Sequence, residues 1–179
     1  FINKEDIYKT TAAEDIYHKQ LSDITTDERF VGKTAVLALG YQGGFKAFLR
    51  MAETYGVTDI EEDLALKVVR NWRASNKNIV RLWYKIQEIC TNVIKTRTSI
   101  ELKLKFTTLI VRYERIKQNR YMTIQLPSRR KLYYFEPSLK WDETHKSFKI
   151  LFWQVDSQTK KFKITDTYGG KLVENIVQA

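Results

Sequence analysis

The sequence has few of the residues that hold disulfide-stabilised or metal-stabilised domains together. Only one of its 179 residues is cysteine, Cys90, and only two are histidine, His18 and His145. A single cysteine excludes a disulfide framework and indicates a reducing compartment, and the apolar helical pattern around Cys90 is typical of a core residue. The histidines lie far apart, without cysteines or paired carboxylates at ligand spacing. The sequence therefore predicts no metal site.

Long apolar runs are absent as well. No stretch approaches about 18 apolar residues, the length of a membrane-spanning helix, and the N-terminal residues FINKEDIYK lack the layout of a signal peptide. We therefore expect a cytoplasmic protein with no membrane partner. The last residues, GGKLVENIVQA, have helical apolar spacing but no residue that closes a helix. This ending predicts a piece cut from a longer chain.

Positive charge is what the sequence has in excess. It contains 31 Lys and Arg against 21 Asp and Glu, a formal charge of +10. Such a balance favours a polyanionic partner such as nucleic acid. With 43% hydrophobic residues, the chain is also large and apolar enough to bury a core. A basic protein without a nucleic-acid partner is the alternative that charge alone leaves open.

Apolar residues recur at helical spacing through the first hundred residues. The pattern predicts helices over residues 5–20, 25–42, 45–56, 58–74 and 79–95. Asp6 is the expected cap of the first helix, and Thr25 with Glu28 forms a capping-box pattern at the start of the second. Gly43 and Gly44 are expected to end that second helix.

The pattern changes after residue 104. Short segments rich in β-branched and aromatic residues, separated by polar turns, predict antiparallel strands over 105–116, 120–127, 130–137, 147–156 and 161–168. Pro127 and Pro137 lie where these strands are expected to end. The predicted class is α+β, with a helical region at 1–104, an antiparallel β region at 105–168 and the start of a helix at 169–179.

A stripe of four residues in the second helix is shaped for a nucleotide. Its members recur every four residues and are Arg29, Lys33, Leu37 and Tyr41. On one helix they would share a face, with two cations about one turn apart that could hold a polyphosphate and a ring further on for a base or sugar. An ordinary amphipathic helix with charged residues is the alternative.

The tripeptide GKT at residues 32–34 invites comparison with a P-loop. That motif needs a glycine five residues before Gly32, where this chain has Asp27. We therefore reject a P-loop.

Two other groups of residues are candidates for nucleic-acid binding. A phosphate track of cations at four-residue spacing, possible only on an unbroken helix, would use Arg73, Lys77, Arg81 and Lys85. An RNA-binding sheet with stacking rings would use Tyr133, Tyr134 and Phe135. The alternatives are a solvated charged face for the first group and core packing for the second.

Five segments together resemble one family. DIYKTTAAEDIY and TTDERFVGKTAVLALGYQGG are similar to the fingers region of family A DNA polymerases, in which one helix carries Arg, three residues, Lys, seven residues and Tyr. WRASNKNIVRLW, YMTIQLPSRRKLYY and TDTYGGKLVENIVQA resemble the phage and prophage branch of that family, in the same order. The resemblance implies a fingers region at 1–104, with its nucleotide-binding helix at about 26–42, and a truncated palm helix at 169–179.

The resemblance implies a role for each residue of the stripe. Arg29 and Lys33 would hold the phosphates of the incoming deoxynucleoside triphosphate, with Lys33 also the general acid for the leaving pyrophosphate. Tyr41 would lie beside the templating base of the primer-template DNA. Gln178 would hydrogen-bond the minor-groove edge of the primer-terminal pair.

The chain departs from the family at three positions. Leu37 replaces the usual Phe or Tyr near the sugar, Gln42 replaces the glycine that follows the tyrosine, and Arg129 replaces a glycine in the LPS turn. The resemblance implies that the two aspartates that bind Mg2+ in the family lie outside these 179 residues. The resemblance therefore implies a polymerase whose Mg2+ is held by the remainder of a longer chain, and a fragment that is inactive alone.

Overall fold

The computed structural model describes residues 6–58 and 60–179. Glu5, the first residue of the first predicted helix, and the residues before it lie outside the described part. The chain divides into two compact units between Leu82 and Trp83. The predicted α+β class is confirmed, since helices come first and an antiparallel sheet follows.

The first unit is helical. Its elements are α1 at Ile7–Thr10, a π-helical segment at Thr11–Tyr17, a 3-10 turn at Leu21–Asp23, α2 at Thr26–Leu39, α3 at Phe45–Thr54, α4 at Glu62–Ser75 and the start of α5 at Lys77–Thr96. Asp6 caps α1 as predicted, because its carboxylate accepts hydrogen bonds from the amides of Tyr8 and Lys9. Leu39 and Phe48 are fully buried in this unit.

Three predicted helix boundaries are wrong. The second helix ends at Leu39 and not near residue 42, and Gly43 and Gly44 follow only after a turn. The fourth begins at Glu62, with Glu61 as its N-cap, and not at residue 58. The fifth begins at Lys77 and not at residue 79, directly after Asn76, the residue that ends α4.

The second unit contains a six-stranded antiparallel sheet in the order β1 to β6. The strands are β1 at Ser99–Leu104, β2 at Thr107–Ile116, β3 at Asn119–Gln125, β4 at Lys131–Asp142, β5 at Ser147–Val155 and β6 at Phe162–Thr167. The β region was predicted to begin at residue 105, and this boundary is wrong because β1 lies at the end of the region 1–104 that was predicted to be helical. Pro137 does not end a strand, because β4 continues past it through a register shift between Phe135 and Ser138.

The apolar face of this sheet forms much of the core of the second unit. Fully buried side chains on β2, β3 and β5 include Val111, Met122, Ile124 and Ile150. Cys90 of α5 is fully buried as predicted, and burial raises the pKa of its thiol to about 12. The chain ends in α6 at Gly169–Gln178. Across the described residues, no helix has the length and apolar character needed to cross a membrane.

Candidate nucleotide-binding site

The N-terminus of α2 is fixed by the capping box that the sequence predicts. The Thr25 hydroxyl accepts a hydrogen bond from the Glu28 amide at 3.2 Å, and the Glu28 carboxylate accepts one from the Thr25 amide at 3.0 Å. The Lys19 ammonium pairs with the same carboxylate and helps hold its pKa below the usual range. These contacts fix where the helix begins, and therefore where Arg29 and Lys33 lie along it.

Gly32 lets α2 approach the first helical segment at very short range. A Cβ atom at this position would lie 2.2 Å from the carbonyl oxygen of Tyr8 and 3.0 Å from the Cβ of Ala12. The neighbouring Thr34 is fully buried and donates its hydroxyl to the carbonyl oxygen of Phe30. The GKT tripeptide thus lies inside a helix, and its glycine serves packing, in agreement with the rejection of a P-loop.

Arg29 is held by a carboxylate and a ring from outside its own helix. Its Nε donates to Asp6 Oδ2 at 2.5 Å, and its guanidinium carbon lies 5.4 Å from the centroid of the Tyr8 ring. The hydrogen bond from Arg29 is the main reason that the pKa of Asp6 falls below its usual range. About a third of each side chain in this pair is exposed. The guanidinium is therefore preoriented and still within reach of a solute anion.

Lys33 lies among aromatic rings. Its ammonium is 4.4 Å from the centroid of the Tyr55 ring and 5.8 Å from that of Phe30. No carboxylate of the described residues lies within 4 Å of it. Cation–π contacts hold the ammonium without neutralising its charge. Lys33 is therefore the cation of this helix best placed to meet a phosphate.

Of the other two members of the stripe, one lies on the helix and one does not. Leu37 is exposed on α2, as the stripe requires. Tyr41 does not lie on the helix, so the expectation of four residues on one helical face is wrong for it. Gly40 ends α2, and Gln42 has a positive φ of 72°. A left-handed backbone is easiest for glycine, which gives a physical reason for the glycine that the resemblance leads one to expect at residue 42.

Gln178 is exposed and belongs to the second unit, at the end of α6. Its side-chain amide lies 3.4 Å from the carboxylate of Glu174.

Asp6, Tyr8 and Tyr55 contact the two cations but were not among the predicted site residues. Asp6 is 23 residues from Arg29 in the sequence, and Tyr55 is equally remote from Lys33. No spacing rule joins such residues, since they meet only through the packing of α1 and α3 beside α2. Only Asp6 could have been noticed from the sequence, because it is an acidic N-cap at the start of DIYKTTAAEDIY, one of the segments that resemble the family.

The cation track and the three consecutive rings, the two other candidate groups, are not arranged as nucleic-acid binding would require. The cation track required an unbroken helix, which the break at Asn76 excludes. Arg73 donates instead to the carbonyl oxygen of Gly43 at 3.0 Å, and Lys85 pairs with Glu88. Of the three consecutive rings, only Tyr133 is exposed, while Tyr134 is buried.

The described residues contain no group of three or more His, Cys, Asp or Glu side chains that could hold a metal ion.

Comparison with known proteins gives one informative match. No family model matches the chain. Over 176 residues, 97% of its length, the chain is similar to a phage protein that is 37% identical to it. That relative is named DNA polymerase and comes from Bacillus phage SP02. The chain spans only 25% of the relative's length, so the match concerns one part of a larger protein.

Proposed function

We propose that this chain is the fingers portion of a DNA-directed DNA polymerase of family A, from its phage branch. Two independent observations support the proposal. The similarity to a phage DNA polymerase extends over nearly the whole chain. In addition, α2 presents one preoriented guanidinium and, four residues on, one ammonium that has no carboxylate partner among residues 6–58 and 60–179. This second observation carries the proposal, because two cations one turn apart suit a triphosphate.

In this proposal, the chain holds the substrate, and the metal chemistry takes place in the remaining part of the polymerase. Arg29 and Lys33 contact the phosphates of the incoming nucleotide, and Lys33 protonates the leaving pyrophosphate. Leu37 lies near its sugar. Tyr41 contacts the template side, and Gln178 the primer terminus. Mg2+ supplies charge neutralisation at the reacting phosphate when carboxylates of the remaining polymerase hold it. We propose that the 179 residues alone do not extend a primer.

Arg29→Ala is the first test, because it should weaken nucleotide binding by this chain about tenfold through loss of a charge-assisted contact. The measurement is titration with a fluorescent deoxynucleoside triphosphate, with the corresponding nucleoside as a ligand that has no phosphate. Arg50→Ala is the matched control, since Arg50 is an exposed arginine on α3 of the same unit. Equal affinity of the wild-type chain for nucleoside and triphosphate would contradict the proposal.

Asp6→Asn should have the opposite effect and raise triphosphate affinity about threefold, because the guanidinium of Arg29 no longer has to leave a carboxylate. Asparagine also keeps the α1 cap, since its oxygen can accept the amides of Tyr8 and Lys9. Asp63→Asn, which removes an exposed carboxylate from the first turn of α4, controls for net charge. If both variants gain equally, the Asp6 effect is long-range electrostatics and not release of Arg29.

The second candidate function is a non-catalytic basic DNA-binding module or a prophage remnant. It is favoured by the charge of the second unit, described below. Nucleotide binding separates the two candidates, because a pure DNA binder should respond to salt but not to Arg29→Ala.

A further inference from the structure

The net positive charge of the chain lies in one of its two units. Residues 83–179 contain 19 of the 31 Lys and Arg but only 9 of the 21 Asp and Glu, a formal charge of +10. Residues 1–82 contain 12 of each and are neutral. The whole excess therefore belongs to the unit that carries the sheet, and the proposed nucleotide site in the first unit does not account for it.

The topology of the sheet gathers three of its turns at one end. In an antiparallel meander, alternate turns lie at the same end, and here they are 105–106, 126–130 and 156–161. We call this the basic end. Because adjacent strands are about 4.8 Å apart, these turns follow one another at intervals of about 10 Å. The opposite end has the turns at 117–118 and 143–146.

Cations dominate the basic end. Its three turns contain Lys105, Arg129, Arg130, Lys160 and Lys161. The one carboxylate in these turns, Asp156, pairs with Lys163. Among the described residues, no Asp or Glu carboxylate lies within 4 Å of any of the five cations, and Arg130 donates to the backbone oxygen of Ala179. The turn at 143–146 differs, because Lys146 pairs with Glu143 at 2.8 Å. A row of cations without Asp or Glu partners at one edge is suited to a phosphate backbone.

Exposed aromatic rings accompany these cations. Phe106, at the tip of the first turn, is 88% exposed, and Phe162, beside the third, is 61% exposed. Solvent-exposed rings of this size gain little from folding, but an unstacked nucleic-acid base can stack on them. Bases inside a duplex are already stacked and cannot reach such rings. The combination therefore favours a single strand.

The turn between β3 and β4 adds a recess beside the row of cations. A depression of about 300 Å³ is lined by Thr107, Gln125, Arg129 and their neighbours. Arg129, one of these lining residues, has a left-handed backbone with a φ of 67°. Glycine would adopt this conformation at lower cost, so the guanidinium is present although the backbone favours a residue without a side chain.

We propose that the basic end binds single-stranded DNA. Arg129, Lys160 and Lys161 contact its phosphates, and Phe106 and Phe162 stack with its bases. The choice of DNA over RNA rests on the proposed polymerase function, in which the ligand is the unpaired template strand. The surface itself follows from the charge, the topology and the exposed rings.

Four cations in the turns allow a closely matched experiment. Arg129 and Lys160 at the basic end have φ values of 67° and 57°, and Lys117 and Lys146 at the opposite end have 56° and 47°. Replacing either pair with glycine removes two charges and relieves two left-handed residues. The double variant Arg129→Gly/Lys160→Gly is therefore compared with Lys117→Gly/Lys146→Gly, with Tm as the check on folding.

The probe is a fluorescein-labelled oligothymidylate of about 15 nucleotides, a length within the range of single-strand binding sites. Fluorescence anisotropy at several salt concentrations should show binding about tenfold weaker for the basic-end variant, with a salt slope smaller by about 1.4 for two lost phosphate contacts. The opposite-end variant should bind like the wild type. Equal losses in both variants, or a duplex bound as tightly as the single strand, would overturn the proposal.

The stacking contribution has its own readout. Phe106→Leu/Phe162→Leu keeps apolar side chains but removes both rings, so affinity should fall about tenfold with an unchanged salt slope. Unchanged affinity would contradict stacking. Tighter binding of an oligouridylate of the same length would reassign the surface to RNA. Arg29→Ala should leave oligothymidylate binding unchanged, so failure of the nucleotide site and failure of the basic end are distinguishable.

Discussion

Replacing Lys33 with alanine in the longer polymerase that we propose is expected to lower the rate of nucleotide incorporation about 100- to 1,000-fold, the usual contribution of a general acid or a transition-state cation. The ammonium lies 4.4 Å from the ring centroid of Tyr55 and 5.8 Å from that of Phe30, with no carboxylate beside it in the described structure. Its full charge is therefore available to a phosphate. Rapid-quench primer extension at saturating and at limiting nucleotide measures the rate and the affinity separately.

Two further variants define what Lys33 does. Lys33→Arg retains the positive charge, but a guanidinium does not give up its proton. If Lys33 is a general acid, the arginine variant should recover nucleotide affinity while its rate stays low. Recovery of both would assign Lys33 a purely electrostatic role. Lys46→Ala is the matched control, since Lys46 also lies against a ring, Phe45, on a helix of the same unit. A wild-type rate for Lys33→Ala would remove Lys33 from the mechanism.

Local signals in the sequence predicted local structure well. The Asp6 cap and the capping box of Thr25 and Glu28 are present, because each depends on residues within one helical turn. The end of α2 was predicted less well. The chain leaves the helix after Leu39 and has a left-handed backbone at Gln42, a residue that carries no strong helix-ending signal. Tyr41 is therefore displaced from the stripe although its spacing is correct.

The sheet, too, was predicted in part. The strands after residue 104 were predicted from their β-branched and aromatic residues, but β1 was missed. Its apolar residues Ile100, Leu102 and Leu104 alternate with polar ones, and its exposure alternates in step. This period of two is typical of a half-buried strand, but the predicted helix ended at residue 95 and the β region was predicted to begin only at residue 105. Pro137 remained in β4 because the bulge frees its position from the hydrogen-bonded ladder.

The cation pair of α2 was predicted, whereas its surroundings were not. Asp6, Tyr8 and Tyr55 reach Arg29 and Lys33 only after the helices pack together. Packing at this point depends on the absence of a side chain at Gly32. Gly32, the glycine of the GKT tripeptide, therefore matters because it lets two helical segments lie close together.

Gly32→Ala should accordingly destabilise the chain by about 2–3 kcal/mol, as overpacking at a close contact does. The added methyl group would lie 2.2 Å from the carbonyl oxygen of Tyr8, an atom of the main chain that cannot rotate away. The segment carrying Asp6 and Tyr8 must then shift, and the contacts of Arg29 with it should weaken. Urea unfolding measures the stability, and triphosphate titration measures the effect on the site.

Gly44→Ala is the control, because no atom lies within 4 Å of a Cβ built there. Its cost should be about 0.5–1 kcal/mol, since Gly44 is the N-cap of α3 and alanine caps helices poorly. If Gly32→Ala retained wild-type stability but lost triphosphate binding, Gly32 would lie against the ligand, and a phosphate loop would have to be reconsidered. Loss of stability with a proportionate weakening of binding would instead establish that the glycine sets the position of α1 beside Arg29.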